Sequence, residues 1–216
     1  MHPQEVEIAR VVISAARQAQ VQRFVFHSVL HPQTSGMNHH WNKLRVEEML
    51  FESGLAFTIL QPCAYMQNIL GYWKTVSESG VYALPYSVET RISVVDLDDV
   101  AEAAARVLTS DGHAHAIYEL AGPQALSQVE TAALLADALG RAVRAEQADR
   151  GDWERKARAA GMAEHAVKSL LAMFAYYEQF GFVGNSNVLA WLLGRPPHTF
   201  SDFIQRMIAG GFPHGS

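Results

Sequence analysis

A chain of 216 residues with 49% hydrophobic and 18% charged side chains can bury one substantial core, which excludes an intrinsically disordered chain. The net charge of −5, with lysines and arginines scattered along the chain, offers no footprint for direct nucleic-acid binding. A lone cysteine, Cys63, excludes an intramolecular disulfide framework, no window approaches the ~18 apolar residues of a membrane span, and MHPQEVEIAR lacks the order of a signal peptide, so a cytoplasmic protein with no membrane contact is expected.

In chain order, Pro3 to Val21 carries Val6, Ala9, Val12, Ile13 and Ala16 at helical spacing, and Phe24-Val25-Phe26 follows as a short strand. His31 to Gly36 is turn-forming, and Asn38 is the expected N-cap of the next helix. His39, Lys43 and Glu47 fall four apart on one face of that helix, Val46, Met49 and Leu50 form its apolar side, and Gly54 follows its end. Phe57-Thr58-Ile59-Leu60 is a second strand, closed by Pro62; the absence of polar alternation in both strands predicts a parallel sheet buried on both faces.

Residues 64–79 are expected to be helical and 80–90 a loop. Ile92 to Val95 is a strand leading to Asp96, which caps an alanine-rich helix running to about Leu108. Ile117 to Leu120 is a strand broken by Gly122-Pro123, and Ser127 with Glu130 forms a capping box before a helix ending near Gly140. From Asp149 the pattern is helical, with a further capping signal at Thr199 to Asp202.

The segments FVFHSVLHP, HHWNK, SGLAFTILQPCAYMQN, VVDLDDVAEAAARVL, YELAGPQALS and LLGRPPHTFSDF, in this order, resemble the NmrA-like group of atypical short-chain dehydrogenases/reductases. The resemblance implies an α/β fold: a partial Rossmann-type parallel sheet in residues 1–148, with 80–96 contributing to a small, mostly helical C-terminal substrate region at 149–216. It also implies that the first four strands and their glycine-rich pyrophosphate turn, on the order of seventy to eighty residues, would precede residue 1. The residues that choose between NAD and NADP fall in that portion. An open sheet edge is then expected, inviting self-association or a protein partner.

The implied activity is NAD(P)H-dependent hydride transfer to a small quinone, carbonyl or aromatic compound. The alternatives are a non-enzymatic NAD(P)-sensing regulator and a cofactor-free remnant. Lys43 matches the family's helix lysine, which holds the nicotinamide ribose; from spacing alone it is a solvated lysine paired with Glu47. His39 stands where the superfamily usually carries its catalytic tyrosine and could donate a proton, and Ser28, at the strand end, could hydrogen-bond a substrate carbonyl or merely satisfy backbone groups. Pro62, Tyr65 and Asn68 belong to the family's loop beside the nicotinamide, although Tyr65 could equally fill a core. His27 and His31 lack a third ligand at metal spacing, and Cys63 lacks a neighbour to activate it, so neither a metal nor a nucleophilic thiol is expected.

Overall fold

The computed structural model describes residues 2–210. The first helix, α1 (Glu5–Gln18), turns Ile13 and Ala16 inward and carries Glu5 and Glu7 at its positive end. Strand β1 (Phe24–His27) then runs parallel to β2 (Phe57–Pro62), with α2 (Asn38–Phe51) as the crossover between them. β2 runs parallel in turn to β6 (Ala116–Leu120), giving the order β1-β2-β6. Every residue of β2 is buried, which is why FTILQP shows no polar alternation.

Helices cover both faces of this sheet. Ile13 and Ala16 pack with Val46, Leu50, Phe57 and Ile59 on one side. On the other, α4 (Leu97–Thr109) and α8 (Ser186–Leu193) bring Val100, Ala103, Leu189 and Leu192 against Leu60 and Leu120. This is the layered α/β arrangement expected.

Around the carboxyl ends of the strands sit two smaller sheets. β3 (Ala64–Tyr65) is parallel to β5 (Ile92–Val95), which is antiparallel to β7 (Gln124–Leu126), and β4 (Val81–Leu84) is parallel to β8 (Arg144–Gln147). These pairings correct the expectation for residues 64–90. Ala64 and Tyr65 are extended because they pair with Val94 and Val95, and helix begins only afterwards, as a 3₁₀ segment at Met66–Tyr72 followed by α3 (Trp73–Ser79). Residues 81–84, expected as loop, form a strand because β8 reaches them from far along the chain.

Caps follow the sequence closely except at α2. Asn38 is already helical there; Met37 is the cap, and no side chain bonds to that end. Asp96 accepts from the Asp98 amide at 3.2 Å, and Ser127 with Glu130 closes the expected capping box at the start of α5 (Gln128–Leu139). Thr199 and Asp202 close another at α9 (Phe200–Ala209).

The remaining helices, α6 (Arg150–Ala159) and α7 (Glu164–Phe180), precede α8. The C-terminal segment is fastened to α4 by charge: Arg195 bonds Asp99 at 2.7 Å and Glu102 at 2.5 Å, and Arg206 pairs with Asp96. Both aspartates are fully buried, so the acidic run does more than cap a helix.

Candidate active site

A cavity of about 630 Å³ lies beyond the carboxyl end of β2, bounded by the smaller sheets and α7. Parallel α/β sheets place ligands at this end of their strands, where the chain leaves the ladder and exposes loop residues. Four of the expected residues share its wall: His39 from α2, and Pro62, Tyr65 and Asn68 from the segment leaving β2. Aromatic side chains from distant sequence join the lining, with Phe174 and Tyr177 on α7. Sequence reasoning read that helix only as apolar; the run MFAYYEQF was the available signal.

Burial is the leading influence on the ionisation of His39, His40 and Cys63 in the cavity lining. His39 carries a buried Nδ1 with no hydrogen-bond partner among the described residues. Burial first, then coupling to the neighbouring His40 ring and to Lys43, push its pKa down to about 3, so at neutral pH the ring is uncharged. It can give or accept a hydrogen bond but is no reservoir of imidazolium. His40 beneath it is held to about 4 by burial, with its Nδ1 3.2 Å from the His31 carbonyl and its ring edge-on to Phe182. Cys63 also lines the cavity, but burial pushes its thiol up to about 12, which keeps it un-ionised.

Lys43 and Ser28 lie at the carboxyl end of β1, outside the lining of this cavity. The Lys43 ammonium donates to the His27 carbonyl at 2.8 Å, pairs with Glu5 at 2.7 Å and stands 4.9 Å from the centre of the Phe26 ring. Its partner is therefore an α1 residue rather than Glu47, the neighbour suggested by spacing. Glu47 is instead buried: the Ser28 hydroxyl donates to it, and the Gln61 amide reaches both carboxylate oxygens at 2.9 and 3.0 Å. Burial raises the Glu47 pKa, and these hydrogen bonds oppose the rise. Ser28 thus ties β1 to α2 and turns its hydroxyl away from the cavity.

One contact at this site had no signal in the sequence. His27, last in β1, sets its Nε2 2.7 Å from the Tyr65 hydroxyl, with the two rings edge-on. The residues are thirty-eight apart and belong to different sheets. Among the described residues no cluster of three histidine, cysteine or carboxylate side chains could hold a metal ion.

The NmrA-like family model matches residues 1–203. An NAD(P)H azoreductase of Xenophilus azovorans is 32% identical over 208 residues, covering 94% of this chain and 71% of that protein. Quinone oxidoreductase 2 of Escherichia coli (strain K12) is 28% identical over 198 residues, covering 92% of this chain and 69% of that one. Among solved structures, the NADPH complex of an Escherichia coli NADPH-dependent quinone oxidoreductase superposes with a TM-score of 0.85 at 28% identity, over 95% of this chain and 72% of that one. The triphenylmethane reductase of Citrobacter sp. shares the fold, with a TM-score of 0.83 at 20% identity over 95% of this chain and 73% of that one.

Proposed function

The chain belongs to the NmrA-like family, and from that premise we propose that it carries out NAD(P)H-dependent reduction of a small quinone, azo dye or related carbonyl or aromatic compound. The observation that carries this reading is the cavity itself. It is mostly apolar, carries aromatic side chains, lies at the strand ends where dinucleotides bind, and is linked through Tyr65 and His27 to the family's helix lysine. Bound reduced nicotinamide would supply the hydride.

The chain's own residues fit the nicotinamide half of such a cofactor. An ammonium has three N–H donors, and Lys43 commits two directions to the His27 carbonyl and Glu5. A ribose hydroxyl that displaced Glu5 would leave Lys43 anchored on His27. Pro62, Tyr65 and Asn68 would flank the ring and the substrate, and His39, on the same cavity lining, would face them as a neutral imidazole. Ser28 keeps its hydroxyl on Glu47 and holds the end of β1 in place. The chain contains no glycine-rich strand-turn-helix motif to cradle the pyrophosphate. We assign residues 1–148 to the cofactor side and 149–216, with 80–96, to the substrate side.

β1 pairs along one edge only among the described strands, so its free edge is the place where a further strand, a second copy or a protein partner would add. No helix among the described residues is long and apolar enough to cross a membrane; a cytoplasmic site of action suits a consumer of reduced nicotinamide.

Calorimetric titration with NADPH, NADP⁺ and NADH, followed by turnover with a panel of quinones and azo dyes, tests the reading. Binding with reduction of at least one acceptor is expected. Binding without any turnover would sink the enzyme in favour of a dinucleotide sensor.

A further inference from the structure

Reducing a quinone takes a proton as well as a hydride, and the groups first considered for that proton are poorly placed to give it. His39 is uncharged, and Ser28 is bonded to Glu47 outside the cavity. Tyr65 is different. It lies on the cavity wall, its backbone is fixed by pairing with Val95, and its hydroxyl meets His27 Nε2 at 2.7 Å. His27 is exposed, and its carbonyl is held by Lys43. A half-buried phenol on the cavity wall is thus linked to a solvent-exposed imidazole.

We propose that Tyr65 is the proton donor to the reduced substrate and that His27 relays the replacement proton from solvent. The proposal rests on the reductase reading above. A phenol oxygen carries one O–H and two lone pairs. If His27 holds its proton on Nε2, it donates to Tyr65 and leaves the phenolic O–H free for the cavity. Hydride addition turns a quinone into a hydroquinone monoanion. The Tyr65 O–H bond breaks as its proton joins the anionic oxygen, completing the hydroquinone. The Nε2 proton of His27 moves to the Tyr65 oxygen as a solvent proton arrives at Nδ1. The ring stays neutral in its other tautomer and returns to the first by exchange with water. Net consumption is one solvent proton. Burial supports this role in both rings: it raises the Tyr65 pKa, keeping the phenol protonated, and together with the Lys43 charge it lowers that of His27, keeping the imidazole neutral.

The test exploits acceptors with different proton demands. A quinone needs a proton on oxygen; a cationic triarylmethane dye takes hydride at carbon and needs none. Y65F is expected to lower quinone kcat about 100-fold, within the usual range for loss of a general acid, and to lower dye reduction by a much smaller factor. H27A is expected to lower quinone kcat about 10-fold, with recovery on adding imidazole, since the position is open to solvent. Independently of turnover, long-range proton–nitrogen spectra of the ¹⁵N-labelled protein should show His27 protonated at Nε2. A proton on Nδ1 alone overturns the relay. So does Y65F that matches wild type on the quinone, or that loses both acceptors equally. If wild type reduces neither acceptor, the reductase reading itself falls; if wild type reduces both and Y65F does too, only the relay falls.

Discussion

The ammonium of Lys43 lies 2.7 Å from the carboxylate of Glu5, joining the first two helices at the edge of the candidate site. Both side chains are largely covered, so the pair is less screened than one in open solvent, and each group limits what the other can bind. If Lys43 must exchange Glu5 for a ribose hydroxyl, Glu5 competes with the cofactor. E5Q is expected to tighten NAD(P)H binding by about 2- to 5-fold, a fraction of a charged hydrogen bond, and K43A to weaken it by 10-fold or more. Calorimetry on the two variants checks this, and a K43A protein with wild-type affinity would remove Lys43 from the site.

Acid should destabilise the protein through its buried histidines. His40 takes up a proton near its ordinary 6.5 when unfolded but only near 4 when folded. Between those values the unfolded chain binds more protons, so stability contributed by the neutral ring is complete above 6.5 and falls as the pH drops toward 4. At about 1.4 kcal/mol per pH unit, the loss is roughly 3 kcal/mol. H40Q should show a shallower acid limb in urea melts at stepped pH. Comparing it with wild type cancels the opposite trend of Glu47, whose raised pKa makes stability fall as pH rises above the usual carboxylate range.

The C-terminal clasp depends on Arg195. R195M keeps the apolar stem but strips Asp99 and Glu102 of their guanidinium, leaving Asp99 buried with the His198 amide and ring as its remaining close partners. A loss of roughly 3 kcal/mol is expected. The D99N/R195M double variant should lose less than the sum of the two single variants, because the second change removes a charge that the first left stranded.

Gly122 tolerates nothing larger. A Cβ there would stand 2.0 Å from the Val94 carbonyl oxygen, an atom of a sheet backbone that has no rotamer to escape into. G122A should cost at least about 3 kcal/mol or fail to accumulate as folded protein, read by thermal melting of the soluble fraction. A near-neutral change would mean that β5 and the segment after β6 can separate.

Periodicity and caps were legible because they are local. The apolar run at residues 57–60, the box at Ser127 and Glu130 and the box at Thr199 and Asp202 depend on groups within one turn or one strand of each other. Residues 64–65, 81–84 and 144–147 were not legible: each is extended only because a distant strand satisfies its backbone, and RAEQ carries no apolar alternation to announce it. At the site, resemblance brought Pro62, Tyr65, Asn68 and His39 onto one list, and folding put them on one wall.

By itself the sequence determined the layered α/β class, the capped starts of α4, α5 and α9 and the NmrA-like membership, since burial pattern, capping chemistry and motif order are written along the chain. Only the tertiary structure decided the partners of its polar groups. It gave Lys43 to Glu5 and Ser28 to Glu47, left His39 Nδ1 without a partner among the described residues, and brought His27 to Tyr65. Hydrogen bonds and desolvation act over a few ångströms of space, and strand pairing and helix packing set which side chains come that close.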